Sequence, residues 1–436
     1  MRYGVTNICL VDAGAPLSLT SDKSTECYRN WWPGPGSDMI DFTNRSIDLL
    51  EQIALATDNR IAMSRRGYAF ATADPATLAN LRNTGKDAAN RGAGQFREHT
   101  SVAHADSYIS HHESAWQNMP TGIDLLTDPD LIQQRFPALT TATCGLLHAR
   151  RCGWISAQQL GAHMLEEARA AGVQVVHGKL TAVSQTGARV SGVKVDGANG
   201  LTHQIETQQL VLSPGPYLYE AGRMLGLELP VSCEAHVKVV LRDSHNAMPA
   251  DSPLLSWCDP VELPWTTDEK ATLAEHDESK YLVQPFPAGV HGRPMGSAGN
   301  HYALMLWTYD VAACAPNFPM SWDAHMPEII IRGMSRMLPG MKQYFDPLPG
   351  TVVDGGYYTK TPENRPLIGP LPVEGAYVNA AYSGYGIMTS CAGGELLAAH
   401  VTGAALPSYA QALAPARYDD RNYLAPFADA MAAGQM

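Results

Sequence analysis

The chain has 436 residues, 45% hydrophobic and 17% charged, which is enough apolar material for a large core, the balance of an ordered protein and a length that predicts two domains. Its formal net charge of −12, with no run of Lys and Arg, excludes the basic stripe that a nucleic-acid surface needs. No stretch of about 20 apolar residues occurs, so no membrane span is expected. The eight scattered cysteines, none in C-x-x-C, point to reduced thiols and a cytoplasmic location.

Residues 5–11 (VTNICLV) are a nearly continuous apolar run ending at Asp12. They predict a strand buried on both faces, as in a parallel sheet, and are too short for a signal peptide. A polar loop over residues 14–36 leads into a predicted helix over 37–56, capped by Asp38, with Ile40, Ile47, Leu50 and Ile53 on one face. His111-His112-Glu113 is not part of an H-E-x-x-H motif, and no Cys/His quartet has zinc spacing, so no metal site is assigned. Residues 158–171 predict an amphipathic helix closed by Gly172, and 173–176 a short buried strand. Residues 188–196 and 201–206 flank Asn199-Gly200, a strong hairpin signal, and 208–212 form a strand closed by Ser213-Pro214-Gly215. From 231 to 345 the texture changes. Prolines and the tryptophans 257, 265, 307 and 322 are frequent, and helical periodicity returns only at 327–338, which predicts a second, antiparallel-rich domain.

Strand–loop–helix texture then resumes. Residues 376–381 predict a strand, Ser383-Gly384-Tyr385-Gly386-Ile387-Met388 a glycine-bearing turn, and 389–401 a helix stopped by Gly403. Glycines at such a turn let the backbone approach a ligand, and the helix N-terminus aims unpaired N–H groups and a positive dipole end at it. A flavin suits this arrangement, because reduction places negative charge around N1 and the C2 carbonyl. The other reading is an ordinary strand-to-helix turn whose glycines serve packing.

T-P-E-N-R-P-L-I-G-P (361–370), G-A-Y-V-N-A-A-Y-S-G-Y-G-I-M (375–388) and G-G-E-L-L-A (393–398) resemble the C-terminal flavin-binding block of the D-amino-acid oxidase superfamily. The style is that of its glycine/sarcosine oxidase and dimethylglycine dehydrogenase branch. Arg135-Phe136-Pro137-Ala138-Leu139, Gly153-Trp154-Ile155-Ser156, residues 178–183 and Ser213-Pro214-Gly215 resemble further family segments in the right order. The resemblance implies an α/β fold with a discontinuous Rossmann-like FAD-binding domain (1–82, 145–228 and 348–413), an antiparallel-sheet substrate domain (83–144 and 229–347) and a C-terminal tail (414–436). It implies FAD contacts at Asp12, Thr20, Ser21, Ser24, Leu180, Ser213, Gly215, Gly384, Gly386, Ile387 and Met388. Asp12 would take the ribose hydroxyls. Arg29, Tyr358 and Tyr385 are the implied catalytic residues, and an arginine fork suits a substrate carboxylate.

Three departures qualify this. The family's G-x-G-x-x-G turn is absent: Gly34-Pro35-Gly36 and Gly92-Ala93-Gly94 lack the third glycine, and about 25–30 residues of the dinucleotide-binding pattern precede what residues 1–10 resemble. That predicts either a start further upstream, the favoured reading, or a paralogue that binds FAD poorly. Gly356 stands where monomeric sarcosine oxidases carry a flavin-linking cysteine, which implies non-covalent FAD, although Cys27 falls near the tethering histidine of the dimethylglycine branch. Cys27 is thus either a covalent link or a free buried thiol. Met388 replaces a carboxylate-binding lysine, and Tyr357 and Tyr358 replace a carboxylate-binding arginine.

Such an enzyme needs orientation and charge stabilisation rather than a triad: a neutral amine gives its α-hydride to flavin N5 and the imine hydrolyses in water. The expected function is oxidation of the CH–NH bond of a small amino acid or N-methyl amine, the small-molecule partner. The electron acceptor is open, and an oligomer is compatible with the sequence. The alternatives are oxidation of a 2-hydroxy acid at CH–OH and a flavin-free partner subunit.

Overall fold

The computed structural model describes residues 4–32, 34–110, 116–297, 299–310 and 312–428. The His111-His112-Glu113 motif lies outside them.

A nine-stranded sheet dominates one half. Its strands lie in the order Thr351–Lys360, Ser232–Arg242, Asn300–Leu306, His291–Ser297, Leu254–Trp257, Tyr68–Thr72, Gly145–Ala149, Ile123–Leu126 and Phe96–His99. Most neighbours are antiparallel, as the 231–345 texture suggests. Alternation explains the longest pairing: Val237, Val239 and Leu241 of Ser232–Arg242 join the core. The helix Met326–Met337 covers that core with Ile329, Ile330, Met334 and Met337. Its Gly333 is required by close approach, since a Cβ there would lie 2.3 Å from the Trp307 ring. Tyr68–Thr72, Gly145–Ala149 and Thr351–Lys360 come from segments assigned above to the FAD-binding half, yet they are hydrogen-bonded into this sheet. A short apolar run carries no mark of which sheet it joins.

The other half holds a four-stranded sheet, Cys9–Asp12, Gln174–Thr186, Arg189–Gly197 and Thr202–Glu206, and a three-stranded sheet, Leu210–Leu212, Ala376–Ala380 and Leu367–Pro370. The expected strand over residues 5–11 is corrected. It begins only at Cys9, after a left-handed Asn7 (φ 59°) breaks the extended run. It is also not buried on both faces. Leu10 keeps 44% of its surface exposed, and Cys9–Asp12 runs parallel to Gln174–Thr186 on one edge with no second strand neighbour among the described residues. The short strand expected at 173–176 instead runs 13 residues, because its far end pairs with Arg189–Gly197 across two register shifts. The Asn199-Gly200 turn closes the next hairpin, with Gly200 at φ +78°.

Ser156 caps Ala157–Ala170 by accepting from Gln159 N–H, and Gly172 takes the left-handed φ after its end. Asp38 is the first residue of the helix Asp38–Ala56 rather than its cap, and its carboxylate meets Arg365 at 3.4 Å. The predicted face is buried at Ile40, Ile47 and Leu50, and it joins the same core as Ala392 and Leu396 of the helix Gly386–Thr402. Among the described residues no helix is long and apolar enough to cross a membrane, and no group of His, Cys, Asp and Glu could hold a metal.

Candidate active site

Three pieces of chain far apart in sequence converge. The first is the loop after Cys9–Asp12. Asp12 is exposed, and its Oδ1 accepts from Gly14 N–H at 2.9 Å. Thr20 donates from Oγ1 to the Tyr357 carbonyl at 2.8 Å, and Lys23 pairs with Asp354 at 2.7 Å. The loop lies directly on Gly356, where a Cβ would stand 2.9 Å from Thr20 Cα. Ser21 is exposed, whereas Ser24 is buried and accepts from Glu26 N–H at 3.0 Å. The strand Cys27–Arg29 then pairs with Cys152–Trp154 and carries Arg29 into the interior, only 4% exposed.

The second piece is the glycine turn. Ala381, Ser383 and Gly384 adopt φ of 58°, 51° and 88°, and Ser383 N–H donates to the Thr359 carbonyl at 2.9 Å, which ties the turn to Thr351–Lys360. The helix Gly386–Thr402 starts without a side-chain cap. Its first N–H groups, at Gly386, Ile387 and Met388, therefore have no intrahelical acceptor. Tyr385 lies 5.5 Å from the Arg29 guanidinium, with Trp32 at 5.8 Å and Tyr68 at 6.0 Å completing an aromatic box. Met388 packs in the same buried cluster.

The third piece is the pairing of Ser232–Arg242 with Thr351–Lys360. Tyr358 lies opposite Glu234, and the His236 ring stacks on it at 3.8 Å and 15°. Burial pushes the Tyr358 hydroxyl pKa up, so it is a neutral donor at physiological pH. His236 is 3% exposed, with Nε2 3.5 Å from Glu234 and Nδ1 3.4 Å from Thr308 Oγ1. Lys360 holds both Glu234 oxygens, at 3.0 and 2.9 Å. Burial alone would raise the Glu234 pKa, but the bonds from His236 and Lys360 outweigh it and hold the carboxyl below its usual value. Burial lowers the His236 pKa against the pull of Glu234. It also lowers that of His291, with the Arg29 charge adding to the effect.

Thr20, Ser24, Arg29, Tyr358, Gly384, Tyr385, Gly386, Ile387 and Met388 thus line one region. The other expected cofactor positions lie on the two smaller sheets. Asp12 ends Cys9–Asp12, Leu180 sits half-buried at a register shift, and Ser213 and the left-handed Gly215 follow Leu210–Leu212. Cys27 is buried, and its thiol donates to the Thr25 carbonyl at 3.2 Å; burial pushes its pKa up, away from thiolate. Sequence reasoning missed His236, His291, Tyr68 and Trp32. The available signal was Glu234, His236 and Lys238 at alternate positions on one face of an otherwise apolar strand.

The residues present fit an isoalloxazine ring. Uncapped N–H groups at Gly386–Met388, left-handed backbone at Ser383 and Gly384, and a loop seated on Gly356 supply donors and close backbone approach.

Residues 1–400 match the family model described as FAD dependent oxidoreductase. No curated protein matches the sequence. The fold is similar to that of L-proline dehydrogenase from P. horikoshii (TM-score 0.69, 14% identity, covering 95% of this chain and 98% of that one). It is also similar to glycine oxidase from Geobacillus kaustophilus (TM-score 0.66, 16% identity, 91% and 88%) and to iminodiacetate oxidase from Chelativorans sp. BNC1 (TM-score 0.66, 14% identity, 95% and 94%). The chain belongs to the FAD dependent oxidoreductase family, and FAD is its cofactor.

Proposed function

We propose that this enzyme oxidises the CH–NH bond of a small amino acid, with FAD held non-covalently and the substrate carboxylate on Arg29. The observation that carries this reading is the buried Arg29 guanidinium among the rings of Trp32, Tyr68 and Tyr385, the last of these in the glycine turn. A guanidinium in such a low-dielectric setting suits a carboxylate, because charge-assisted hydrogen bonds are stronger there. Bound FAD supplies the hydride acceptor. The N–H groups of Gly386, Ile387 and Met388, with Gly384 and the loop residues Thr20, Ser21 and Ser24, would hold its flavin end. Asp12, Leu180, Ser213 and Gly215 would hold its adenosine end. Tyr358 and Tyr385 wall the substrate space. The names of the structural neighbours, which act on proline, glycine and iminodiacetate, support an amino-acid substrate for this fold.

The test is the visible spectrum of the purified protein under argon. A yellow preparation bleached by a small amino acid supports the proposal. Bleaching by a 2-hydroxy acid alone moves the chemistry to CH–OH, and a colourless protein that refuses added FAD overturns the proposal.

A further inference from the structure

Resting on the proposed function only for the identity of the ligand, we propose that a second cavity, apart from Arg29, binds a small carboxylate without an amine, such as the 2-oxo acid that oxidation of an amino acid releases. The cavity has a volume of about 210 Å³. It lies at the seam between the strand pair Cys27–Arg29 and Cys152–Trp154 and the nine-stranded sheet. Glu26, Arg66, Trp154, Ser156, Arg293 and His301 line it, with small and apolar neighbours between them. Trp154 stands opposite Cys27, at the far end of that strand pair from Arg29, and none of Arg29, Tyr358 and Tyr385 is in the lining.

The charges of this cavity favour an anion. Arg293 is 3% exposed, and its guanidinium lies 5.2 Å from the centre of the Trp154 ring. It donates to the Thr25 carbonyl at 2.7 Å, to the Pro294 carbonyl at 3.3 Å and to Glu26 Oε2 at 3.1 Å. Those bonds use three of its five N–H groups, so a buried guanidinium on the cavity wall keeps donors for a ligand. Arg66 approaches the same ring to 5.0 Å and donates to the carbonyl of Ala250, another lining residue. Glu26 is the carboxylate among the described lining residues, and both its oxygens are bonded. Oε1 accepts at 3.1 Å from Ala157 N–H, the first amide of the helix Ala157–Ala170. Burial also raises the Glu26 pKa, which lessens its opposition to a second anion. His301 donates from Nε2 to the Met248 carbonyl at 2.6 Å. Two guanidinium groups thus face one carboxylate, and the helix adds its positive dipole end.

Size and charge together choose the ligand. Drug-sized and cofactor ligands occupy pockets of roughly 300–1,000 Å³, so this smaller cavity has no room for a nucleotide. An amino acid would bring an ammonium group to a wall whose carboxylate is already bonded on both oxygens. A 2-oxo acid brings a carboxylate and a carbonyl oxygen, both acceptors, to a wall of guanidinium donors.

The experiment titrates pyruvate, 2-aminoisobutyrate and inorganic phosphate into the FAD-loaded enzyme by calorimetry under argon, with flavin absorbance followed in parallel. 2-Aminoisobutyrate is an amino acid with no α-hydrogen to lose, so its heat is that of binding alone. The variants are Arg66→Gln, Ala250→Leu, which fills the cavity and keeps its charges, and Arg29→Ala. Arg66→Gln should weaken this class of pyruvate binding by about 10- to 150-fold, the loss of a charged hydrogen bond, and Ala250→Leu should abolish it. The flavin spectrum should be unchanged in both, and Arg29→Ala should leave the binding in place. Pyruvate binding that survives in a folded Arg66→Gln or Ala250→Leu enzyme at wild-type affinity overturns the inference, as does binding lost entirely in Arg29→Ala. Phosphate or 2-aminoisobutyrate bound at the Arg66-dependent site as tightly as pyruvate overturns the class of ligand. The two cavity variants change different groups, so a folding defect in one leaves the other decisive. Flavin that no amino acid bleaches instead overturns the proposed function and leaves the Arg66-dependent heat readable, so the two failures are distinguishable.

Discussion

The nine-stranded sheet carries two buried carboxylate–imidazole pairs near its two ends, and they are built oppositely. On the strands Ile123–Leu126 and Phe96–His99, Asp124 accepts from His99 at 3.0 Å, from Arg97 at 2.6 and 3.0 Å and from Arg150 at 2.8 Å. The other His99 nitrogen meets Ser107 at 3.0 Å, and Arg150 runs on to the Ile109 carbonyl at 2.7 Å. Every contact is at bonding distance, and the cluster pins the segment after Phe96–His99 onto the sheet. At the other end, His236 stands 3.5 Å from Glu234 and 3.4 Å from Thr308. A saturated imidazole holds structure, because moving its proton breaks bonds. A loosely held one can gain and lose a proton without disturbing its surroundings.

The largest expected effect breaks the saturated pair. Asp124→Ala leaves two guanidinium groups, Arg97 and Arg150, without their shared acceptor, at a cost of about 3–5 kcal/mol. Urea denaturation measures it, and the flavin bleaching of the folded fraction should be unchanged. Asp124 also sets a pH window. Burial favours its neutral form, but the Arg97 and His99 bonds and the Arg150 charge outweigh it, and its pKa is lowered. Its contribution is complete above an unfolded value of about 3.9 and disappears as pH falls through the lowered folded pKa. A variant as stable as wild type would remove the contrast between the two ends.

Next in size is Arg29→Ala, which should reduce kcat/KM for a carboxylate-bearing amine by about 10- to 150-fold, equivalent to a charged hydrogen bond of about 1.5–3 kcal/mol. An amine without a carboxylate should show little change. Equal losses for both would mean that Arg29 shapes the site rather than reads the substrate.

Much of this organisation was legible before any coordinates, and the legible parts share a cause. The Asn199-Gly200 hairpin, the Gly172 and Gly403 stops and the turn before Gly386–Thr402 are all decided by residues within a few positions of one another. Arg29 and Tyr358 came from resemblance, and both lie in the converged region. What was not legible is non-local. The Glu234–Lys360 bond joins residues 126 positions apart, and the His236–Tyr358 stack depends on the register between the same two strands. The exposed Leu10 had the same origin: an apolar run signals a strand, but only its neighbours decide how many sides are covered.

His236 and His291 both have lowered pKa values in the folded protein, chiefly from burial. Below an unfolded value of about 6.5 the unfolded chain binds protons that the folded chain refuses, so stability is full above that pH and declines beneath it. Each such histidine contributes a slope of at most about 1.4 kcal/mol per pH unit. Denaturation midpoints between pH 6.5 and 5 should flatten in His236→Phe. An unchanged slope would place the acid sensitivity elsewhere.

The smallest expected effect falls on the ring that His236 stacks upon. Tyr358→Phe keeps the 3.8 Å stacking geometry and removes only a hydroxyl whose pKa burial has raised. One neutral hydrogen bond to substrate is worth about 1 kcal/mol, so KM should rise roughly fivefold with kcat little altered. The pH profile is the sharper measurement. The acid limb of flavin bleaching should stay where it was, because a phenol whose pKa burial has raised does not ionise in the working range. If the limb moves or disappears in Tyr358→Phe, the hydroxyl lies on the path of a titrating group, and Tyr358 does more than hold the substrate.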